Sequence, residues 1–272
     1  MLTCKRLLKL GLPREAQLGL RRLINRAKGL TLSLGSSVEC PICKHSFLFF
    51  LRFCGRPNEW CPVCRSLGRH RLMYFYLRDE TKVFSETARF TILHVGAEYC
   101  LQWRLKAIPN SRYVTADSMV SVVDLLEVAP AVCASVTELG FRSDCFDLVI
   151  CSHVLEHVKE DQYAIAELFR VTKPGGVAIV PVPVDWSRYE TDENRGLSAK
   201  ERARFYGQAD HLRQYGRDYV GRLKHAGFLV DTYRLADRQI ADRYRIDSGD
   251  PLVIARKCAG TSEATLPVRE HL

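Results

Sequence analysis

The stretch Phe90-Thr-Ile-Leu-His-Val-Gly-Ala-Glu98 decides the fold of this chain. Five of its first six residues are apolar or β-branched and Gly96 follows at once, which predicts a buried strand that ends in a turn. A glycine lets the backbone approach a ligand where a Cβ would collide. Asp117 lies 21 residues after Gly96 and ends a second strand-like run, where a carboxylate can bind both hydroxyls of a ribose. We therefore expect a nucleotide-like molecule outside the carboxyl ends of these strands.

Strand and helix patterns alternate after this stretch. Lys173-Pro-Gly-Gly176 interrupts the alternation with a turn. Alternation of this kind predicts parallel strands joined by crossover helices, hence an α/β fold with a doubly wound sheet. Helices are predicted at 99–108, 162–171 and 218–226, and strands at 112–116, 131–135, 146–151, 177–184, 228–235 and 251–257.

The composition is that of an ordinary globular protein, with 272 residues, 47% of them hydrophobic and 26% charged. This length permits one large domain and a small one. No apolar run approaches the roughly 20 residues that a bilayer crossing needs, so we expect a cytoplasmic protein. Eleven cysteines without a secretion signal favour reduced thiols and a metal site over a disulfide framework.

The net charge of +9 is concentrated at one end, because residues 1–30 hold eight Lys or Arg residues against one Glu. Apolar residues at Ala16, Leu20, Leu23 and Ile24 recur at helical spacing, which predicts a basic amphipathic helical segment over residues 1–30. Packing against its own protein is favoured for this helix. Contact with a membrane surface or with the phosphates of RNA stays open as an alternative.

Two CxxC pairs follow, Cys40-Pro-Ile-Cys43 and Cys61-Pro-Val-Cys64, separated by 17 residues. Each short turn points two sulfurs at one tetrahedral ion, so Cys40, Cys43, Cys61 and Cys64 are predicted to bind a structural Zn²⁺ in a module spanning residues 38–66. The apolar run Phe47 to Leu51 is expected to be a strand of this module.

Residues 67–88 are predicted to contain a helix that connects the zinc module to the following domain. Its aromatic residues imply burial. The cluster Arg69-His70-Arg71 near its start is expected to form a solvated helix face, with contact to an anion as the alternative.

The runs Phe146-Asp-Leu-Val-Ile-Cys-Ser-His-Val-Leu-Glu-His157 and Glu167-Leu-Phe-Arg-Val-Thr-Lys-Pro-Gly-Gly176 resemble class I S-adenosylmethionine-dependent methyltransferases of the small-molecule type. The resemblance covers about residues 90–257. It implies a seven-stranded Rossmann-like sheet whose final strand is antiparallel, over a domain at 89–258, after the small N-terminal zinc-ribbon module. Residues 259–272 carry no pattern and are expected to be a mobile tail.

The same resemblance implies a site for S-adenosylmethionine at the carboxyl ends of the first four strands. Gly96, Ala97 and Glu98 would face its methionine part, Asp117 its ribose, Ser135 and Val136 its adenine, and Ser152 and His153 its sulfonium. The full set of cofactor-binding residues implied in this way is His94, Gly96, Ala97, Glu98, Asp117, Ser118, Ser135, Val136, Ser152 and His153.

Two departures from the family pattern bear on this expectation. The first loop has one glycine where the family commonly has two or three, and Ser135 stands where the family often has Asp. A non-catalytic domain with a vestigial cofactor pocket therefore stays open as an alternative.

Residues 185–216 interrupt the alternation and are interpreted as an insert on the substrate side. Asp210, His211, Arg213 and Tyr215 form a compact polar set there, predicted to be a substrate-binding wall, and a surface turn is the alternative. His153, His211 and Tyr215 are the candidate catalytic groups, because an acidic acceptor must lose a proton during methyl transfer. A role for His153 in cofactor binding alone stays open.

The sequence thus predicts methyl transfer to an oxygen or nitrogen of a small metabolite, a natural product or a saccharide. One alternative is an RNA methyltransferase that docks through the zinc module and the basic N-terminus. This order of modules also resembles that of bacterial ribosomal RNA guanine-N1 methyltransferases, although only in arrangement. Another alternative is a non-catalytic zinc-containing binding protein. The sequence determines neither the acceptor nor the oligomeric state.

Overall fold

The computed structural model describes residues 35–118, 131–247 and 249–259. They belong to two compact units, one with residues 35–75, 99–101 and 235–247, the other with residues 76–98, 102–118, 131–234 and 249–259. Residues 235–247, which the sequence placed in the methyltransferase-like domain, belong to the first unit. The amphipathic segment 1–30 and nearly all of the tail lie outside the described residues, so both stay predictions, as do the domain boundaries.

Eleven strands and six helices are described within these ranges. The strands are β1 (Val38–Cys40), β2 (His45–Phe47), β3 (Leu51–Phe53), β4 (Arg56–Trp60), β5 (Thr91–Val95), β6 (Arg112–Asp117), β7 (Val132–Cys133), β8 (Phe146–Cys151), β9 (Thr172–Ile179), β10 (Leu229–Tyr233) and β11 (Leu252–Arg256). The helices are α1 (Gly68–Asp79), α2 (Tyr99–Lys106), α3 (Asp161–Val171), α4 (Ala199–Phe205), α5 (Tyr219–His225) and α6 (Arg238–Tyr244). None of them is long and apolar enough to cross a bilayer.

The second unit contains a seven-stranded sheet in the order β10-β11-β9-β8-β5-β6-β7. Strands β7, β6, β5, β8 and β9 are mutually parallel. Strand β11 runs antiparallel to both of its neighbours, β9 and β10. The predicted doubly wound sheet with an antiparallel final strand is therefore confirmed. The chain order changes direction between β5 and β8, which places a crevice outside their carboxyl ends, where ligands of such sheets bind.

The sheet forms because its central strands are nearly continuous apolar runs, as buried parallel strands require. Strands β5 and β8 each bury at least four residues. Helix α3 packs against β9, and seven of its residues are buried, among them Ala164, Leu168 and Phe169, which belong to the same core as the buried residues of β5 and β8. This burial fixes the positions of the loops that follow β5 and β8, which carry the candidate site.

Strand β9 differs from its prediction at both ends. It begins at Thr172 and includes Lys173-Pro-Gly-Gly176, which the sequence assigned to a turn, and it ends at Ile179 instead of Val184. Its pairing with β8 shifts register between Phe146 and Leu148, and Gly175 adopts a φ of +78°. The two glycines therefore form an irregularity within the strand.

Two short helices were missed because neither carries a long apolar stripe. Helix α4 begins with a capping box, in which Ser198 and Glu201 each bond the other's backbone N–H. Asp237 is the N-cap of helix α6, and its carboxylate accepts from the N–H groups of Gln239 and Ile240. Caps are thus the sequence signal that could have located both helices.

The first unit contains two antiparallel hairpins, β1–β2 and β3–β4. The predicted strand from Phe47 to Leu51 is wrong, since β2 ends at Phe47 and β3 begins at Leu51. Phe47 and Phe50 are buried, whereas Leu48 and Phe49 are exposed. The side chain of Asn58 accepts from the Phe50 N–H, so this segment forms a turn instead of a ladder.

The expectation that Arg69-His70-Arg71 forms a solvated face at the start of α1 is wrong for Arg71, because its side chain is fully buried. Its guanidinium donates to the carbonyl oxygens of Glu59, Ser66, Tyr244 and Arg245. It also lies 4.5 Å from the centroid of the Phe50 ring. Arg71 therefore joins the second hairpin, the second cysteine pair and the end of α6 within the first unit.

Candidate functional site

The turn after β5 is built around Gly96, which adopts a φ of +62°. Its N–H donates to the carbonyl of Ala116 in the neighbouring strand β6. A Cβ at this position would lie 2.8 Å from Cγ2 of Val154, in the loop after β8. The turn therefore needs glycine for its backbone conformation and for the close approach of the β8 loop.

His94 and Glu98 flank this turn and are bonded to each other. His94 Nε2 lies 2.7 Å from a carboxylate oxygen of Glu98, and Nδ1 lies 2.9 Å from the hydroxyl of Tyr113. Since a carboxylate only accepts, Nε2–H is the donor, and a neutral ring then accepts from Tyr113 at Nδ1. The sequence singled out His94 and Glu98 but missed Tyr113, which β6 places opposite Ile92 in β5.

Asp117 ends β6 at the same edge of the sheet, with its side chain partly exposed. Ser118 follows it and is exposed. The carbonyl of Asp117 accepts from the N–H of Ala134 after β7. Ser135 is exposed and bonds Thr137, whereas Val136 is buried and belongs to the apolar core. The residues predicted to surround ribose and adenine thus lie in neighbouring loops at one edge of the sheet.

The loop after β8 begins with Ser152, whose buried hydroxyl has no hydrogen-bond partner among the described residues. His153 follows with a φ of +53°, and its N–H donates to the carbonyl of Pro181. His153 Nδ1 donates to Glu156 Oε1 over 3.1 Å. A carboxylate in this position orients the imidazole, which is the arrangement of a general base. Glu156 was not predicted as a site residue. Its position three residues after His153, in the run Leu155-Glu-His157, is the sequence feature that could have indicated it.

Arg213 and Tyr215 have partners within the fold. Arg213 is buried and donates to the carbonyls of Leu155, Val158 and Lys159 and to the Glu193 carboxylate. Tyr215 donates to Asp161 over 2.8 Å, and burial, assisted by the charge of Asp161, raises the pKa of its phenol. Their predicted roles towards substrate stay predictions, and these contacts attach the insert to the segment from Leu155 to Asp161 that leads into α3.

His211 is also buried, and its Nδ1 donates to the carbonyl of Tyr206 over 2.7 Å. Burial lowers its pKa. Its ring packs edge-on against that of His157, with centroids 4.8 Å apart. Asp210 is exposed and lies 3.3 Å from His157 Nδ1. The structure thus brings Asp210, His211 and Arg213 of the insert to the short 3₁₀ helix Leu155–His157, whereas Tyr215 bonds Asp161 at the start of α3.

The four cysteines of the first unit lie in two similar turns. Lys44 N–H donates to the Cys40 carbonyl and Arg65 N–H to the Cys61 carbonyl, and Lys44 and Arg65 both adopt positive φ. The sulfur of Cys40 lies 3.4 Å from that of Cys64, and the sulfur of Cys43 lies 3.6 Å from that of Cys61. Tetrahedral Zn–S bonds of about 2.3 Å place sulfurs roughly 3.8 Å apart. All four sulfurs lie within 4.8 Å of one another, close enough for one ion to contact them all.

A cavity of about 320 Å³ lies elsewhere on the second unit. Its lining includes Phe90, Asp147 and Gly176. These residues lie at or near the amino ends of the parallel strands, opposite the edge that carries Gly96, Asp117 and Ser152. The cavity is therefore separate from the candidate cofactor site.

Part of the chain is similar in sequence to known proteins. Residues 97–180, under a third of the chain, match a family model described as a methyltransferase domain. A demethylmenaquinone methyltransferase from Streptomyces avermitilis is 41% identical over 51 residues, which are 19% of this chain and 22% of the relative. The match thus spans about a fifth of that relative's length. Over residues 97–180 the chain is thus similar to methyltransferase domains.

Solved structures with a similar arrangement include the [4+2]-cyclase SpnF, with 18% identity, a TM-score of 0.48, and coverage of 71% of this chain and 83% of that one. An S-adenosylmethionine-dependent methyltransferase from Mesorhizobium loti gives 16% identity, a TM-score of 0.45, and coverage of 67% and 97%. Both TM-scores lie below 0.5. The fold is therefore established by the strand order of the sheet itself.

Proposed function

We propose that this protein is an S-adenosylmethionine-dependent methyltransferase that transfers a methyl group to an oxygen or nitrogen of a small molecule. One observation carries the proposal. The close-approach turn at Gly96, the carboxylate of Asp117 and the buried hydroxyl of Ser152 follow three neighbouring parallel strands at the same edge of the sheet. Part of this edge lies within the segment that matches the methyltransferase-domain family.

The residues present fit such a cofactor. Asp117 can accept hydrogen bonds from both ribose hydroxyls. Gly96 lets the β8 loop approach the turn closely, and the unpartnered hydroxyl of Ser152 in that loop offers a donor or an acceptor to a ligand. When bound, the cofactor supplies a sulfonium-linked methyl group. Most of the rate of an in-line displacement can come from holding donor and acceptor in near-attack geometry.

His153 is the side chain best placed to take a proton from the acceptor. It lies immediately after β8, it is partly exposed, and Glu156 holds its Nδ1. With Nδ1–H donating to Glu156, Nε2 of the neutral ring is left to accept a proton. Glu156 would then stabilise the imidazolium that forms. This role applies to hydroxyl and other acidic acceptors, since a neutral amine needs no proton removed before attack.

We further propose that Cys40, Cys43, Cys61 and Cys64 bind a structural Zn²⁺. Four thiolates complete a tetrahedral shell and leave no open position, so the ion would stabilise the first unit without taking part in methyl transfer. Burial raises the pKa of Cys61 and Cys64 without an ion. Bound zinc would reverse this effect and keep the thiols ionised.

Calorimetric titration with S-adenosylmethionine tests the proposed function directly. Binding should release or absorb heat, and saturation at about 100 times the Kd should stabilise the folded protein by about 2.7 kcal/mol. Asp117→Asn should weaken binding at least tenfold. Asp231→Asn is the matched control, because Asp231 is exposed on the edge strand β10. Absence of both heat and stabilisation in the wild type would favour the non-catalytic alternative.

A small acceptor is the proposed substrate class, in keeping with the name of the Streptomyces avermitilis relative. The RNA alternative depends on residues 1–30, which the structure does not describe, so it stays a prediction. RNA affinity that falls steeply with salt, and falls again when residues 1–30 are deleted, would support the RNA alternative. Equal and weak RNA binding by both forms would support the small acceptor.

A further inference from the structure

A second cluster of metal-ligand side chains lies in the second unit, apart from the four cysteines. Glu156, His157 and His211 each place a ligand atom within 4.8 Å of the others. Glu156 and His157 belong to the 3₁₀ helix after β8, and the insert brings in His211 from 54 residues further along the chain. Two imidazoles and one carboxylate form a ligand set that binds divalent transition metals in many proteins.

Two buried atoms of this cluster have no hydrogen-bond partner in the described ranges, Glu156 Oε2 and His211 Nε2. Glu156 is 1% exposed and His211 is 4% exposed. Leaving a buried polar group unsatisfied costs about 1–3 kcal/mol, and more for a charged one. A bound cation would satisfy both atoms at once. Their shared lack of partners is therefore an observation that points to a ligand, independent of the residue types.

In both histidines of the cluster, Nδ1 contacts an oxygen of the protein, so Nε2 is the ring nitrogen left for an ion. His211 Nδ1 donates to the Tyr206 carbonyl, and His157 Nδ1 lies 3.3 Å from the Asp210 carboxylate. With its Nδ1 donating, the neutral His211 ring carries its lone pair on the buried, unpartnered Nε2. Metal-bound histidines are almost always held in this way by a carbonyl or a carboxylate on the other nitrogen. Glu156 Oε1 is likewise held by His153, which leaves Oε2 for the ion.

We propose that Glu156, His157 and His211 bind a divalent transition-metal ion. Ligand bonds of about 2.0–2.2 Å place neighbouring ligand atoms roughly 3–3.5 Å apart, so the three side chains would draw together slightly around the ion. Three protein ligands leave at least one position open. His157 is the most exposed of the three, and the open position on its side of the ion takes water.

The binding of this ion does not depend on the proposed methyl transfer. Its further use does rest on the proposed function, since the cluster follows directly after Ser152 and His153 in the β8 loop. In that setting the open position would bind an oxygen or nitrogen of the acceptor. Acceptors able to coordinate a metal through such an atom are then the favoured substrate class.

Equilibrium dialysis of the full-length, tag-free protein against Co²⁺, with elemental analysis of cobalt and zinc, tests the site. The zinc that the cysteines hold is counted separately, and cobalt bound by nitrogen and oxygen ligands lacks the charge-transfer absorption of cobalt thiolates. The wild type should bind one Co²⁺ per chain beyond that zinc. His211→Ala and His157→Ala should each lower Co²⁺ affinity at least tenfold, with zinc content unchanged.

The controls keep the result decisive. His225→Ala should bind Co²⁺ like the wild type, because His225 is an exposed histidine in the last turn of α5. His211 is buried, and His211→Ala could therefore fail to fold. His157→Ala then still tests the site, because the His157 side chain is partly exposed and its removal leaves no cavity in the core. A wild type that binds no Co²⁺, or His157→Ala with full Co²⁺ affinity, would overturn the proposal. S-adenosylmethionine binding in the same variants separates failure of the metal site from failure of the proposed function.

Discussion

His94 Nε2 donates to the Glu98 carboxylate over 2.7 Å, across the turn that holds Gly96. The histidine is fully buried and the glutamate partly so. Through Nδ1 the ring also bonds Tyr113, so three side chains on β5, β6 and the turn form one connected set. Because a buried network is stable only when its members are paired, this set fixes the turn in place.

Replacing Glu98 should therefore affect both the fold and the site. Glu98→Ala leaves the buried His94 Nε2–H without its acceptor and should lower the free energy of unfolding by about 1–3 kcal/mol. It should also weaken S-adenosylmethionine binding. Glu98→Gln keeps an acceptor oxygen and is expected to recover most of the stability. Urea denaturation with calorimetry measures both effects, and equal stability of Glu98→Ala and the wild type would contradict the role given to this bond.

Gly96→Ala should reduce cofactor affinity at least tenfold, because the added Cβ meets Val154 Cγ2 at 2.8 Å and φ is positive. Val154 is β-branched and cannot rotate away freely. The double variant Gly96→Ala, Val154→Ala should recover part of the affinity. Gly221→Ala is the matched control, since nothing lies near that position in helix α5. It should stabilise the protein by about 0.5–1 kcal/mol and leave binding unchanged.

Tyr215→Phe distinguishes a structural role from a catalytic one. The hydroxyl donates to the buried Asp161, so its loss should destabilise the fold by about 1–2 kcal/mol. Burial holds the pKa of Tyr215 above its usual range, which disfavours the phenolate that a base would need. Turnover per folded molecule should therefore stay within about twofold of the wild type, which corresponds to a small change in activation free energy. A large loss of turnover at unchanged stability would instead restore the predicted catalytic role.

The four cysteines should release one zinc per chain when a mercurial reagent blocks their thiolates. Cys61→Ser should remove this zinc and destabilise the first unit, because metal binding free energy in such modules is folding free energy. Cys54→Ser should retain it, since Cys54 is exposed. Zinc affinity should fall as the pH is lowered, because protons compete for the sulfurs. Zinc retained by Cys61→Ser would rule out the proposed ligand set.

The sheet could be predicted largely because its strands are local apolar runs, such as Phe146–Cys151. The burial of Arg71 could not be predicted, because it depends on the carbonyls of Tyr244 and Arg245, which lie more than 170 residues further along the chain. The insert follows the same rule. Its polar residues are recognisable as a set, but the residues that separate them in space, Asp161 for Tyr215 and the His157 ring for His211, come from other elements. Periodicity carries no information about such long-range pairs.

His153 adopts a left-handed conformation directly after β8, with φ at +53°. Such a conformation costs a residue other than glycine or asparagine about 1 kcal/mol, and it persists where the surroundings impose it. His153→Gly relieves this strain, but it also removes the donor to the buried Glu156 carboxylate, a loss of about 1–3 kcal/mol. The thermal midpoint of this variant should therefore not rise. Position 153 is thus one where a hydrogen bond to a buried carboxylate keeps the backbone in a conformation that it would otherwise leave.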